Sequence, residues 1–143
     1  MQKGTYQIKN ILVAVLILLM ACSHMAWALP KDGTVVAGSS SITTPGSTTM
    51  NITQTTDKSI INWQGYSIGQ NETVQYFQPG SSSVSLNRVT GSDPSLIYGN
   101  LSANGSVWVI NPNGLLVGKD AKVSVGSFLG STLDINNNDF LNG

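Results

Sequence analysis

Short runs of β-branched and aromatic residues restrict most strongly what this 143-residue chain can fold into. After residue 28 no stretch with helical periodicity fills about three turns, because Gly, Ser, Thr or Asn interrupts nearly every apolar cluster. This pattern predicts an all-β protein built from many short strands. The predicted strands lie at residues 34–36, 49–52, 60–63, 74–77, 84–86, 96–98, 107–110, 115–117, 123–125, 128–129 and 133–135.

The turns favour one of two all-β architectures, which are an antiparallel sandwich and a parallel β-helix with coils of roughly 20 to 30 residues. Asn104 and Gly105 would suit the two-residue hairpin turn of a sandwich. Glycines on both sides of short strands instead favour β-helix corners, at Gly99, Gly105, Gly114, Gly118, Gly126 and Gly130. The side chains predicted to fill the coil interior are Val107, Val109, Leu115, Val117, Val123, Val125, Leu133 and Ile135.

The first 28 residues have the order of charged and apolar residues that is typical of a secretory signal peptide. Two lysines precede an apolar run over residues 11–21, which is shorter than the roughly 20 residues that a membrane-spanning helix needs. Small residues before Leu29 predict cleavage that removes residues 1–28. A bacterial lipoprotein box is the alternative, in which Cys22 becomes the lipidated first residue.

Removal of residues 1–28 would leave no Cys, no His and one Glu, Glu72. Most nucleophilic triads and His/Cys metal sites are therefore excluded by composition, and we expect neither enzyme activity nor a bound cofactor or metal. A glycosidase pair would need Glu72 beside an Asp, and nothing in the sequence places them together. Five basic residues against seven acidic ones provide no patch that follows phosphates, so no nucleic-acid partner is expected.

The tetrapeptide Asn-Pro-Asn-Gly at residues 111–114 separates two apolar strand-like runs. A hairpin would need only Asn-Gly, whereas Pro112 removes a backbone donor and restricts Asn111 to extended geometry. A β-helix corner explains the tetrapeptide structurally, because Pro fixes φ and Gly114 permits a positive φ. Recognition by a partner is the second interpretation, since a corner is accessible before the chain folds.

Three larger side chains in or just after predicted strands each allow two interpretations. Arg88, the only Arg in the chain, forms an ion pair with Asp93 or Asp134, or is solvated. Trp63 and Trp108 pack in the core or cap, or stack on sugars; their apolar surroundings favour packing.

An ordered series of short motifs resembles the N-terminal secretion domain of two-partner-secreted exoproteins of Gram-negative bacteria, the filamentous-haemagglutinin family. The series covers nearly all of residues 29–143. Its motifs are INWQ at 61–64, ETV at 72–74, QP at 78–79, LNRV at 86–89, NG at 104–105, INPNGL at 110–115, GKDA at 118–121 and GSTLDI at 130–135.

The resemblance implies a right-handed parallel β-helix with an N-terminal β-cap, exported through the Sec machinery and processed by signal peptidase. In this family the periplasmic POTRA domains of an outer-membrane β-barrel transporter recognise the domain while it is extended. Folding outside the cell then helps to draw the remainder of the exoprotein through. No cofactor or metal takes part, and the residues assigned here to partner recognition are Asn87, Arg88, Asn111, Pro112, Asn113 and Gly114.

The resemblance also implies a larger parent protein, which is an adhesin or haemagglutinin, a haemolysin or a contact-dependent toxin. Contact with a host-cell surface would occur through that parent. The residues after 135 show no closing helix or charged cap, so an incomplete solenoid is expected at this end. The alternative function is a self-sufficient surface adhesin or lipoprotein that binds host glycan, which would be secreted without the transporter.

Overall fold

The computed structural model describes residues 29–143, so the predicted signal peptide, its cleavage and the lipidation of Cys22 lie outside the described residues. Within 29–143 the chain forms twelve strands and one short helix. The strands are β1 (Thr34–Ala37), β2 (Ser40–Gly46), β3 (Thr49–Gln54), β4 (Lys58–Trp63), β5 (Thr73–Phe77), β6 (Val84–Val89), β7 (Ser95–Ile97), β8 (Asn100–Ala103), β9 (Ser106–Ile110), β10 (Leu115–Val117), β11 (Lys122–Ser124) and β12 (Ser127–Ser131). The helix is α1 (Asn137–Asn142).

Strands β3 to β12 form a parallel β-solenoid of about four turns, as predicted. Thr49 pairs with Thr73, Thr73 with Asn100 and Asn100 with Lys122, so one coil takes 22–27 residues along this side. Coil 1 contains β3 and β4, coil 2 contains β5 to β7, coil 3 contains β8 to β10, and coil 4 contains β11 and β12. On the third side Ile68 of coil 1 forms a parallel bridge to Ile97.

Strands β1 and β2 form an antiparallel cap over coil 1. β1 pairs with β4, where Thr34 lies opposite Asn62, and β2 pairs with β3, where Ile42 lies opposite Ile52. The cap covers strand edges that coil 1 would otherwise expose, which is how sheet proteins avoid pairing edge to edge. Its polar and largely exposed β2 has no apolar run, and the sequence pattern missed it.

Glycines lie in the corners between the strands of coils 2 to 4, and the structure confirms the solenoid interpretation of residues 104–105. Gly105 lies between β8 and β9, which belong to different sheets, so these strands form no hairpin. A Cβ atom at Gly105 would approach the carbonyl oxygen of Ser83 to 2.6 Å, and the corner therefore has no room for a side chain. Gly130 is an exception to the predicted pattern, because it lies inside β12.

Apolar side chains from all three sides fill the solenoid interior. Val107 and Val109 are fully buried there, as predicted, and Leu115, Val123 and Val125 pack against this interior cluster while partly buried. The cluster of buried residues comprises Met50, Ile52, Ile61, Trp63, Tyr66, Ile68, Val74, Tyr76, Val89, Ile97, Leu101, Val107 and Val109. Burial of such side chains contributes most of the favourable free energy of folding.

A second apolar cluster lies on the outer face of the sheet that contains β4, β6 and β9. There Ile60, Leu86 and Ile110 are covered by Phe140 of α1. Residues 132–142, which we call the strap, follow β12 and contain this helix. The expectation of no closing helix was therefore wrong: the Asn136 side chain caps α1 by accepting from the Asn138 N–H, and burial of Phe140 stabilises it.

Three predicted interior positions and one predicted strand were wrong. Leu133 is 80% exposed and Val117 is 44% exposed, while Ile135 packs in the outer cluster. Residues 133–135 form no strand, because Arg88 and the Ser131 side chain bind their backbone and the chain turns towards the outer face. β8 was also missed, since only Leu101 in it is apolar and fully buried.

Candidate recognition site

The corner at residues 111–114 is held by the buried side chain of Asn111. Its Oδ1 accepts hydrogen bonds from the backbone N–H and the side-chain Nδ2 of Asn113, at 2.9 and 3.0 Å. Its Nδ2 donates to the carbonyl of Asp93 and to Oγ of Ser95, both at 2.9 Å. An Asn that binds the backbone two residues later builds a turn locally, and here it also fastens that turn to the preceding coil.

The rest of the corner has the geometry that the tetrapeptide predicts. Gly114 has a φ of 113°, which favours glycine, and its N–H donates to the carbonyl of Asn111 at 3.0 Å. Pro112 and Asn113 are exposed, and Asn113 Nδ2 donates to the carbonyl of Gly91 at 2.8 Å. The tetrapeptide is thus a structural corner in the folded chain.

Asn87 lies in the solenoid interior, where it joins two aromatic side chains. Its Oδ1 accepts from Trp63 Nε1 at 2.9 Å and from the Tyr76 hydroxyl at 2.8 Å. Its Nδ2 donates to the carbonyls of Ser85 and Trp108, at 3.3 and 3.2 Å. These partners satisfy a buried amide that would otherwise destabilise an apolar core.

Tyr66 extends this buried network. Its hydroxyl lies 2.9 Å from that of Tyr76, and its ring packs edge-on against Trp63. Because the Tyr76 proton is directed to Asn87, Tyr66 donates to Tyr76. Burial raises the pKa of both hydroxyls well above 10.0, and for Tyr76 the neighbouring Tyr66 raises the pKa further.

Arg88 lies on the opposite face of β6 from Asn87 and binds the strap. Its Nε donates to Asp134 Oδ1 and its Nη2 to the carbonyl of Ile135, both at 2.8 Å. The structure thus selects Asp134 from the two predicted partners. Asp93 instead contributes its backbone carbonyl to the corner.

The predicted recognition residues therefore occupy three different places, which are the interior, the outer face and a corner. The packing interpretation of the tryptophans is confirmed, since Trp63 is in the interior cluster and Trp108 in the outer one. Two surface cavities of about 380 Å³ contain no pair of carboxylates: one is lined by Asp120 among other residues, and the other has no acidic lining residue.

Family membership follows from comparison with known proteins. Residues 27–143 match the sequence profile of the TPS secretion domain. The chain belongs to the TPS secretion domain family.

The proteins similar to this TPS secretion domain are much longer, and it matches only a part of each. Two heme/hemopexin-binding proteins of Haemophilus influenzae are 40% identical over 107 residues and 37% identical over 127 residues. These matches cover 75% and 86% of this chain, but only 12% and 14% of the relatives. The crystal structure of the HMW1 secretion domain from Haemophilus influenzae has a TM-score of 0.75 and 39% identity, covering 79% of this chain and 30% of that one.

A TPS secretion domain is a non-catalytic module that targets an exoprotein for secretion through its partner transporter. The family is secreted across the outer membrane of Gram-negative bacteria. Among the described residues, no group of three His, Cys, Asp or Glu side chains could hold a metal ion. In the same part of the chain, no helix is long and apolar enough to cross a membrane.

Sequence reasoning missed the partners that fix these residues in this TPS secretion domain. Tyr66 and Tyr76 were not singled out, nor were Lys58 and Phe140, which hold the strap. A signal for the buried network was present, because Ser85, Asn87 and Val89 alternate in a run that starts in the predicted strand at 84–86 and that forms one face of β6. An Asn at an inward position requires polar partners inside the core.

Proposed function

We propose that POTRA domains of the partner transporter recognise residues 29–143 before they fold, and that Asn87, Arg88 and residues 111–114 take part. The observation that carries this proposal is the complete burial of the Asn87 and Asn111 side chains. A partner can bind these amides only in an unfolded chain, because in the folded chain their hydrogen-bonding groups bind other residues.

The remaining candidates differ in accessibility, which supports the same order of events. Pro112 and Asn113 are exposed in the folded corner, whereas the Arg88 side chain is 14% exposed and held by Asp134. Binding to a folded chain would have access mainly to Pro112 and Asn113. Binding to an extended chain would have access to all six candidate residues at once.

The proposed route to the transporter begins at the Sec machinery, followed by signal-peptidase cleavage before Leu29. The order of residues in 1–28 supports this route. Leu29 packs against the interior cluster, so cleavage at this point would leave the folded region intact. Lipidation of Cys22 would instead leave the protein attached to a membrane.

The parent exoprotein is proposed to be an adhesin or haemagglutinin, a haemolysin or a contact-dependent toxin that meets a host-cell or neighbouring-cell surface. The small share of the relatives that this chain covers supports an effector region elsewhere in such a parent. The relatives' names add binding of heme or hemopexin as a further class. A secretion module does not itself determine which of these activities the parent has.

Co-expression of the chain with and without its partner transporter tests the proposal. We expect release into the medium only with the transporter, as a protein whose N-terminal sequence starts at Leu29. Release without the transporter would contradict the proposal and favour the self-sufficient adhesin. Retention in a membrane with lipidated Cys22 would favour the lipoprotein.

A further inference from the structure

The strap runs back over the outer face of the solenoid and contacts three successive coils. It binds Lys58 of β4 in coil 1, Arg88 of β6 in coil 2, and Trp108 of β9 in coil 3. It follows β12 of coil 4 directly in sequence. One short segment therefore links the four coils formed by residues 29–143.

Polar contacts hold the strap near both of its ends. Near its start, Arg88 donates to Asp134 and to the carbonyl of Ile135. Near its other end, Lys58 Nζ donates to the carbonyls of Phe140 and Leu141, at 2.8 and 3.0 Å. A cation at the C-terminal carbonyls of a helix also interacts favourably with the helix dipole.

An apolar contact secures the strap between these polar ones. Phe140 is 4% exposed and its ring packs edge-on against Trp108, with 5.4 Å between the ring centroids. Lys58 Nζ lies 5.7 Å from the centroid of the same ring. The neighbouring Ile60, Leu86 and Ile110 would be uncovered without the strap.

The surface that accepts the strap requires prior stacking of the coils. Ile60, Leu86 and Trp108 are register partners on three adjacent parallel strands, so they form one surface only after β4, β6 and β9 have paired. The strap also follows the twelve strands described within residues 29–143. Its binding surface is thus complete before the strap can bind across it.

We propose that the strap docks only after the described coils have stacked, and that it then prevents these coils from separating. This inference deepens the proposed function, on which it rests for its setting: a chain that folds outside the cell helps export only if it does not unfold again. Contacts that form after the folding transition state slow unfolding and leave the folding rate nearly unchanged. The strap contacts are expected to be of this kind, because they form only on coils that have already stacked.

The test is to measure the folding and unfolding rates of the full chain by tryptophan fluorescence. The chain is diluted from urea to measure folding and into urea to measure unfolding. Phe140→Ala is expected to raise the unfolding rate on the order of tenfold or more and to leave the folding rate within about twofold. Leu133→Ala is the matched control, because it truncates a leucine of the same strap that is 80% exposed. It should change neither rate.

Phe140→Leu and Arg88→Met keep the test decisive if Phe140→Ala fails to fold. Both should also raise the unfolding rate, by smaller factors. An unchanged unfolding rate in these variants, or a fall in the folding rate that accounts for the whole loss of stability, would overturn the inference. These rates are measured without the transporter, so failure here is distinct from transporter-independent release, which contradicts the proposed function.

Discussion

The solenoid interior around Asn87 and the corner around Asn111 solve the same physical problem with different partners. Each buries an asparagine side chain completely and satisfies its amide. In the interior, Oδ1 of Asn87 accepts from two aromatic side chains, Trp63 and Tyr76. At the corner, Asn111 binds the nearby Asn113 and two groups of the preceding coil.

Equal burial of the two asparagines does not imply an equal role. Loss of Asn87 leaves two donors without acceptors deep in an apolar core, where water cannot replace the lost bonds. Loss of Asn111 affects groups beside exposed residues, where water reaches more easily. We therefore expect loss of the Asn87 side chain to lower the free energy of unfolding more than loss of the Asn111 side chain. For Asn111, an effect on export should be easier to distinguish from an effect on stability.

The largest effect is expected from Asn87→Leu, which keeps the branched shape of the side chain but removes the acceptor of Trp63 and Tyr76. The free energy of unfolding should fall by about 2 to 5 kcal/mol. Urea denaturation measures this change, with Asn137→Ala on the exposed strap as a control expected to remain near wild type. A loss below about 1 kcal/mol would contradict the assigned role of Asn87.

Asn111→Ala is expected to reduce the free energy of unfolding by about 1 to 3 kcal/mol, since the corner loses its internal acceptor. If Asn111 is recognised before folding, export should fall further than stability explains. Ile52→Val provides a comparison, because it alters a fully buried core residue at a cost of about 0.5 to 1.5 kcal/mol. If export falls in both variants only in proportion to their loss of stability, the role of Asn111 is purely structural.

Alkaline pH is expected to destabilise the interior network. Burial raises the folded-state pKa of Tyr66 and Tyr76 above the ordinary value of 10.0, so the unfolded chain releases protons first. Stability should therefore be unaffected well below pH 10 and fall above it, by about 1 kcal/mol per tyrosine at pH 11. Urea denaturation at pH 8 and pH 11 measures the loss.

Tyr66→Phe serves as the control for this pH effect, because it should remove a large part of the alkaline loss. Asn111→Ala should leave the alkaline loss unchanged, since the corner contains neither hydroxyl. If the free energy of unfolding falls equally at high pH in Tyr66→Phe and in the wild-type chain, the buried network is not the source of the fall.

The smallest stability effect is expected from Asn113→Ala, because this side chain is exposed and donates to only one group outside the corner, the carbonyl of Gly91. The free energy of unfolding should change by about 1 kcal/mol or less. A clear fall in export at this nearly unchanged stability would support recognition of the tetrapeptide. Wild-type export would remove Asn113 from the proposed recognition residues.

The strands and corners were largely predictable because their causes are local. β-branched runs such as those of β4 and β9 favour strands, and Gly114 marks a turn that needs a positive φ. Motif order supplied the parallel stacking, which periodicity alone did not distinguish from a sandwich. The polar β2 has no such local pattern and was missed.

The contacts that organise the candidate site depend on distant residues and could not be predicted. Asn87 and Trp63 are 24 positions apart, and Lys58 and Phe140 are 82 apart. Leu133 and Ile135 continue an apolar alternation, yet the chain leaves the solenoid there because Arg88 and the outer cluster bind it elsewhere. The sequence predicted the pairing of Arg88 with Asp134 only as one of three alternatives, beside a pair with Asp93 and a solvated Arg88.

Binding of the transporter's periplasmic domains to the unfolded and the folded chain tests the claim that the domain is recognised before it folds. The same labelled chain is mixed with the POTRA domains either immediately after dilution from urea or after folding is complete. Recognition before folding predicts capture of the freshly diluted chain, weaker capture of the folded chain, and reduced capture of freshly diluted Asn111→Ala. Equal or tighter binding to the folded chain would contradict the claim, because Asn87 and Asn111 are inaccessible in that state.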